Sequence, residues 1–236
     1  MIVPYLGEKS KLSNFITPNI PTDISTYVEP FGGMFGIYFS LNIKDIKYVY
    51  NDSNHLNYNL FLQLQDSEFI DLVKATTIDK LYYQNSLNNL ENKDKKQLAL
   101  DWLIVLTCSH PRKIGEDSWI GSEEFNIFKL KWSSYKKKVN KITDILNIDY
   151  KEVISKYDSE STFFYLDPPY MDKEDYYLNH SFDKESHKEL SEIINKIKGK
   201  FILSYFYFDG LRELYPNCKF ESKKTIMGTE YFISNY

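Results

Sequence analysis

The chain is poor in cysteine, arginine and alanine, and each shortage removes a class of explanation. Two cysteines in 236 residues, Cys108 and Cys218, supply no disulfide framework. There is no run of about 18 apolar residues to form a membrane span, and no charged-then-apolar leader. Both absences point to a soluble intracellular protein. An excess of positive charge is also missing. Lys and Arg number 29 against 33 Asp and Glu, a formal net charge of -4, which excludes binding nucleic acid by being basic throughout. Only Arg112 and Arg212 are arginine and only Ala75 and Ala99 alanine, while Asn, Ile and Tyr abound. AT-biased codon usage produces this pattern, so 20 Tyr and 16 Phe do not by themselves signify a surface for stacking bases.

What remains is enough for a real core. At 42% hydrophobic and 26% charged, the chain suits one α/β domain with an inserted subdomain, and it is too short for two full-sized domains. Charge is unevenly distributed along it. Residues 129–141 contain Lys129, Lys131, Lys136, Lys137, Lys138 and Lys141 and no acid. In an acidic chain that is a local footprint for phosphates, with a solvated helix face as the plain alternative.

Periodicity gives the elements. KLSNFITPNI is amphipathic, TYVE and IKYVYND read as strands, and MFGIYFSL between them reads as an apolar helix after a glycine turn. Strand, turn, helix, strand predicts a βαβ unit and a parallel sheet. Asn54 to Gln65 places Leu56, Leu60 and Leu64 on one helical face. From 66 to 156 helical patterns dominate, with LVKATTIDKL, KKQLALDWLIVL and SSYKKKVNKITDIL each read as helix, and no strand is predicted. TFFYLD and KFILSY are continuous and apolar, as strands buried on both faces are, with a helix from about Lys184 to Ile197 between them. CKFESKKTI and EYFISNY suggest a terminal antiparallel pair. The expected fold is a doubly wound, mostly parallel α/β sheet with an antiparallel edge. A helical insertion over 66–156 divides a catalytic domain of 1–65 and 157–236.

YLDPPY, residues 165–170, is the most specific segment. Asp167 ends a buried strand, and ligands of open α/β sheets bind at the carboxyl ends of strands. Pro168 keeps Asp167 extended, and Pro168 with Pro169 removes two N–H donors. A carboxylate beside aimed backbone carbonyls is an acceptor-only site, with the Tyr170 ring at its mouth. Such a site suits a flat substrate bearing an NH2 group, such as an exocyclic base amine. Hydrogen bonds to Asp167 and the Pro168 carbonyl localise that amine's lone pair and help remove its proton. Tyr170 would stack on a base rotated out of a duplex. The plain alternative is a proline-rich turn closing a core strand.

YVEPFGGMFG, residues 27–36, offers a glycine turn where a ligand can approach backbone. Asp52 ends the next strand, where an acid can bond ribose hydroxyls or form an Asx turn. PYLGEKSKL places Tyr5, Gly7 and Lys9 before the first helix, Lys9 suited to a carboxylate and Tyr5 to covering a ring. Cys108 and His110 are close in sequence, but the four histidines (His55, His110, His180, His187) show no metal-ligand spacing, so no metal site is expected. His187 reads as packing or surface, and Ser204 as a strand-end hydroxyl near the pocket.

Taken in order, PYLGEKSKL, YVEPFGG, VYND, the helical region and YLDPPY resemble the Dam-like DNA adenine-N6 methyltransferases, over nearly all of the chain outside 66–155. The resemblance implies S-adenosylmethionine as methyl donor, with Tyr5, Gly7, Lys9, Glu29, Phe31, Gly32, Gly33, Asp52 and Asp167 on the cofactor. It implies Asp167, Pro168, Pro169 and Tyr170 as the catalytic motif acting on a flipped adenine in duplex DNA. It also gives Lys129, Lys131, Lys136, Lys137 and Lys138 to phosphate contact, and Arg112 and Lys113, in a loop, suit the reading of guanine. Cytosine-N4 transfer uses the same kind of motif and stays open. So does a partner subunit that keeps the fold without turnover, because two positions depart from the family: Glu8 stands where a second glycine is common and Phe35 where a small residue is. Cytosine-C5 chemistry is excluded by its need for a nucleophilic cysteine. A companion restriction endonuclease, a monomer or weak dimer, no membrane partner, and a cytoplasmic location (the host's if the source is viral) complete the expectations.

Overall fold

The computed structural model describes residues 3, 9–91, 94–110, 114–171, 182–225 and 228–236. Its strands are β1 (Thr26–Glu29), β2 (Lys47–Asn51), β3 (Ile142–Leu146), β4 (Thr162–Leu166), β5 (Lys200–Phe206), β6 (Lys219–Thr225) and β7 (Gly228–Ser234). Its helices are α1 (Ser13–Ile16), α2 (His55–Leu64), α3 (Ser67–Ala75), α4 (Lys80–Asn88), α5 (Lys95–Cys108), α6 (Glu123–Val139), α7 (Tyr150–Tyr157), α8 (Lys184–Ile194) and α9 (Leu211–Leu214). They fall into two units. One comprises Met1–Pro18, Gly33–Asn42 and Asp52–Asn147, the other Asn19–Gly32, Ile43–Asn51 and Ile148–Tyr236.

The second unit is the sheet expected from the sequence. Its strands lie in the order β2-β1-β4-β5-β7-β6. β1 runs parallel to β2 and β4, and β4 parallel to β5, whereas β7 is antiparallel to both β5 and β6. β4 is buried along its whole length, as an apolar strand between two parallel neighbours must be. Tyr27 and Phe163 are register partners on β1 and β4, and their rings stack at 5.9 Å, a cross-strand pair of the kind that fixes register. β6 ends the sheet with its lysines Lys219, Lys223 and Lys224 exposed, a charged edge that discourages pairing with another chain.

The first unit is helical and has a consistent grammar of starts. Asn54, Asp66, Asp79 and Asp94 each accept a backbone N–H in the first turn of α2, α3, α4 and α5, satisfying donors that a helix leaves open. α5 is buried from Leu98 through Cys108, and such a helix belongs in the centre of its unit. Leu56, Leu60 and Leu64, the predicted stripe of α2, are all buried.

Three elements differ from expectation. The pattern over 133–146 predicts one helix; instead α6 ends at Val139 and the chain continues as β3. Asn140 closes the helix, and β-branched Ile142, Thr143 and Ile145 then favour extension. LVKATTIDKL breaks at Thr76, which is extended, before Asp79 starts α4. MFGIYFSL forms only a 3-10 turn at Tyr38–Ser40. The reason lies at Phe35, which adopts φ 55, a left-handed conformation that a continuous helix excludes. Its ring is fully buried, stacked at 4.4 Å on Tyr38 and edge-on to Phe61.

Phe35 therefore combines a costly backbone with essential packing. Phe35→Ala is expected to destabilise by about 3–5 kcal/mol in urea unfolding. Phe35→Gly should be the more stable of the two by about 1 kcal/mol, because glycine tolerates positive φ. The opposite order would show that the backbone there is set by something other than the ring.

Candidate active site

Strand order locates the site before any side chain is considered. The chain moves from β1 outward to β2 and later returns on the other side of β1 as β4. The reversal lies between β1 and β4, and such a switch point opens a crevice at the carboxyl ends of the two strands. Glu29-Pro30-Phe31-Gly32 leaves β1 there, and Asp167-Pro168-Pro169-Tyr170 leaves β4.

The first of these segments is tightly held. Glu29 is 2% exposed and accepts a 2.6 Å hydrogen bond from the Tyr27 hydroxyl. Burial, then the Glu29 charge, pushes the Tyr27 phenol well above its usual range, so it stays a donor. Asn51, buried at the end of β2, donates to the carbonyls of Pro30 (2.8 Å) and Ile148 (3.1 Å) and accepts from the Ile148 N–H. Gly32 donates to the Asn51 carbonyl at 2.7 Å, so close that a Cβ there would lie 2.4 Å from Tyr50 Cε2 and 2.9 Å from that oxygen. No residue but glycine fits the turn unless Tyr50 moves. The Phe31 ring lies 5.1 Å from Tyr150 and 5.8 Å from Phe182.

At the end of β4, Asp167 is half-buried, Pro168 buried and Pro169 half-buried. Tyr170 is only 6% exposed. Its hydroxyl donates to Asp167 Oδ1 at 3.0 Å and to Glu230 Oε1 at 2.8 Å. Its ring packs edge-on against Phe206 at 5.0 Å and tilted against Tyr205. Burial first, then the charges of Asp167 and Glu230, raises the Tyr170 phenol well above its usual range. Tyr165 and Ser204 share a 2.8 Å hydrogen bond on the neighbouring strands. His187 is fully buried, its Nδ1 2.5 Å from the Tyr205 hydroxyl.

In the helical unit, Asp52 is half-buried and locked by backbone and side-chain donors. Gly33 N–H (2.6 Å) and Asn57 Nδ2 (3.3 Å) donate to Oδ2, and Asn54 N–H (2.7 Å) to Oδ1. The Asn54 bond makes the Asx turn that the sequence allowed. Asn57 is held in turn by a 2.9 Å bond from Trp102 Nε1, so α5 fixes the carboxylate through one intermediary. Gly33 itself has φ 48. Lys9 is buried, and its carbonyl accepts from Leu12. Tyr5, Gly7 and the divergent Glu8 lie outside the described residues. The other divergent position, Phe35, turns its ring into the packing of its own unit rather than outward.

The lysine run divides. Lys131, Lys136 and Lys137 are exposed on α6. Lys129 donates to the Thr76 carbonyl at 2.9 Å, and Lys138 to the carbonyls of Phe39 (2.6 Å) and Leu41 (2.7 Å), with burial lowering the Lys138 ammonium. Those two ammonium groups tie down backbone. Arg112 and Lys113 lie outside the described residues.

Two buried polar residues carry little signal in the sequence. Asn51 is hidden in an ordinary-looking ND pair, and Glu230 in a strand that reads as an edge; the only hint of Glu230 is an acid among residues that alternate inward. Cys108 is buried and its thiol is pushed up to about 11, chiefly by burial, which makes it a poor nucleophile. Among the described residues no group of three or more His, Cys, Asp or Glu could hold a metal ion, and no helix is long and apolar enough to cross a membrane.

Gly32→Ala should destabilise the protein by about 1–3 kcal/mol, the cost of forcing extra volume into a filled site. Thermal unfolding checks this, and an unchanged midpoint would mean that Tyr50 yields freely.

Comparison with known proteins gives the family. Residues 5–111 and 119–229 match the D12 class N6 adenine-specific DNA methyltransferases. The type II methyltransferase M.CviBI of Paramecium bursaria Chlorella virus NC1A is 26% identical over 229 residues, covering 91% of this chain and 85% of that protein. The modification methylase StsI of Streptococcus sanguinis is 37% identical over 70 residues, 30% of this chain and 10% of that protein. With a mostly parallel sheet whose β1 and β4 ends carry EPFGG and DPPY, the chain belongs to the D12 class of N6 adenine-specific DNA methyltransferases.

Proposed function

We propose that this DNA methyltransferase transfers the methyl group of S-adenosylmethionine to N6 of an adenine rotated out of duplex DNA. The observation that carries the proposal is Asp167, an acceptor at the switch-point end of β4 followed by two residues that have no N–H. Asp167 and the Pro168 carbonyl accept from the two N–H bonds of the amine, localising its lone pair for direct attack. Asp167 draws off the proton that the amine loses. The Tyr170 ring supplies the stacking face for the rotated base, which offsets an unstacking cost of a few kcal/mol.

S-adenosylmethionine, when bound, supplies a methyl group on a positively charged sulfur. The residues suit it: Gly32 keeps its turn free of a side chain, and Asp52 is a carboxylate fixed just beyond a strand end, where ribose hydroxyls can donate to it. In this reading Glu29, Phe31, Gly32 and Gly33 form the first cofactor loop, Lys9 neutralises the amino-acid carboxylate, and Tyr5 and Gly7 cover the ligand. Exposed Lys131, Lys136 and Lys137 hold DNA phosphates, Lys129 and Lys138 support the helix that presents them, and Arg112 and Lys113 read base edges. The division of labour is a catalytic domain of 1–65 and 157–236 with target recognition in 66–156. The names of its relatives, a type II methyltransferase and a modification methylase, also favour a modification role, and a companion restriction endonuclease is part of this reading.

Asp167→Ala should lower single-turnover methyl transfer by about 10²–10⁴-fold while duplex binding, read by fluorescence anisotropy, is retained. Turnover that survives the substitution would rule out the assigned role. Replacing Lys131, Lys136 and Lys137 by Gln should weaken binding to duplexes of every sequence alike. It should also flatten the salt dependence by roughly one unit of slope for each phosphate no longer neutralised. An unchanged slope would remove these lysines from the DNA interface.

A further inference from the structure

We infer that Glu230 is a positioning residue of the methyl-transfer site: it retains the Tyr170 hydroxyl when the substrate amine takes over Asp167. The inference rests on the reaction proposed above.

The geometry that suggests it is a competition for one proton. Tyr170 has a single O–H, and two carboxylates accept it, Asp167 Oδ1 at 3.0 Å and Glu230 Oε1 at 2.8 Å. Asp167 is thus already bonded, before any substrate arrives, to a donor that resembles the substrate's own N–H. For the amine to be oriented, the phenol must release that oxygen. Without a second acceptor, a hydroxyl on a residue only 6% exposed would be left without its bond, a cost comparable to a whole hydrogen bond. The alternative would be for the ring to turn out of place. With Glu230 present, the hydroxyl keeps the shorter of its two bonds and the ring keeps its packing on Phe206 and Tyr205. The exchange at Asp167 then becomes nearly neutral.

The position of Glu230 argues against an incidental carboxylate. It lies on β7 opposite Phe206 of β5, and it alternates with Phe232 on the buried face of the strand, being 4% exposed itself. A strand completing a core would carry an apolar side chain there. Burying a carboxylate beside a second one is expensive unless both are hydrogen-bonded. A Glu230 that served only to hold β7 in place, for instance against Lys223 opposite it on β6, would be replaceable by Gln with no consequence for the reaction.

Four proteins separate these cases: wild type, Glu230→Gln, Tyr170→Phe and the double variant, each assayed for single-turnover methyl transfer to duplex DNA. Glu230→Gln, which exchanges a charged acceptor for a weaker amide oxygen, is expected to slow the transfer step by up to about tenfold, with KM for DNA and the unfolding midpoint unchanged. In the Tyr170→Phe background, which lacks the hydroxyl, the same substitution should have no further effect. A second readout is independent of turnover. In protein labelled at tyrosine Cζ, the carbon resonance that disappears in Tyr170→Phe should move in Glu230→Gln. Multiplicative effects on rate, an unaltered rate in Glu230→Gln, or an unmoved resonance would each overturn the inference. Wild-type protein that transfers no methyl group to any DNA would overturn the proposed reaction and the handover together, and the resonance would still report whether Glu230 holds the hydroxyl.

Discussion

The parallel pairing of β1 with β4 is the constraint on which the site depends. It makes Thr26–Val28 and Thr162–Phe164 register partners, so both strands deliver their carboxyl ends to one level of the sheet. Because β2 lies on one side of this pair and β5 on the other, the strand order reverses there, and a crevice at the carboxyl ends is what such a switch point produces. The burial of β4 on both faces and the Tyr27–Phe163 stack keep the register from slipping. A one-residue slip would turn every side chain of the strand to the opposite face and displace Asp167 from the carboxyl end of β4.

Around that crevice the sheet unit buries polar groups that a core built only for stability would avoid. Glu29, Asn51, Ser204 and Glu230 are each at most 4% exposed, and each has a bonding partner on a strand or turn near the carboxyl ends. A network of this kind stiffens its members and is costly to leave half made. It explains why a turn as short as Pro30–Gly32 can hold one shape: Asn51 grips it from the side and the Gly32 N–H closes it. The helical unit uses the same device at Asp52, where Gly33, Asn54 and Asn57 donate together and Trp102 secures Asn57.

The strands and the DPPY and EPFGG segments are legible in the sequence because their signals are local. A continuous apolar run ending in Asp-Pro-Pro has few readings, and TYVE and IKYVYND alternate or bury as strands do. Segment 133–146 misleads because lysines favour helix over the first half and the switch at Asn140 depends on β-branched residues just beyond it. MFGIYFSL misleads because a left-handed Phe35 is set by ring packing on Tyr38 and Phe61, which no window of sequence reveals. Glu230 and Asn51 are hidden for a similar reason: their importance is a matter of which atoms face them across the sheet. The lysine run shows the reverse case, in which counting charges overstates the surface, since Lys129 and Lys138 turn to backbone carbonyls.

The central claim is that the acceptor-only end of β4 selects an exocyclic amine, and that the amine is adenine N6. The most direct measurement is transfer of labelled methyl from S-adenosylmethionine to unmethylated duplex DNA, with digestion to nucleosides and identification of the labelled one. The account predicts label in N6-methyladenine alone. Label in a cytosine derivative, or none in any nucleoside while cofactor binding is intact, would contradict it.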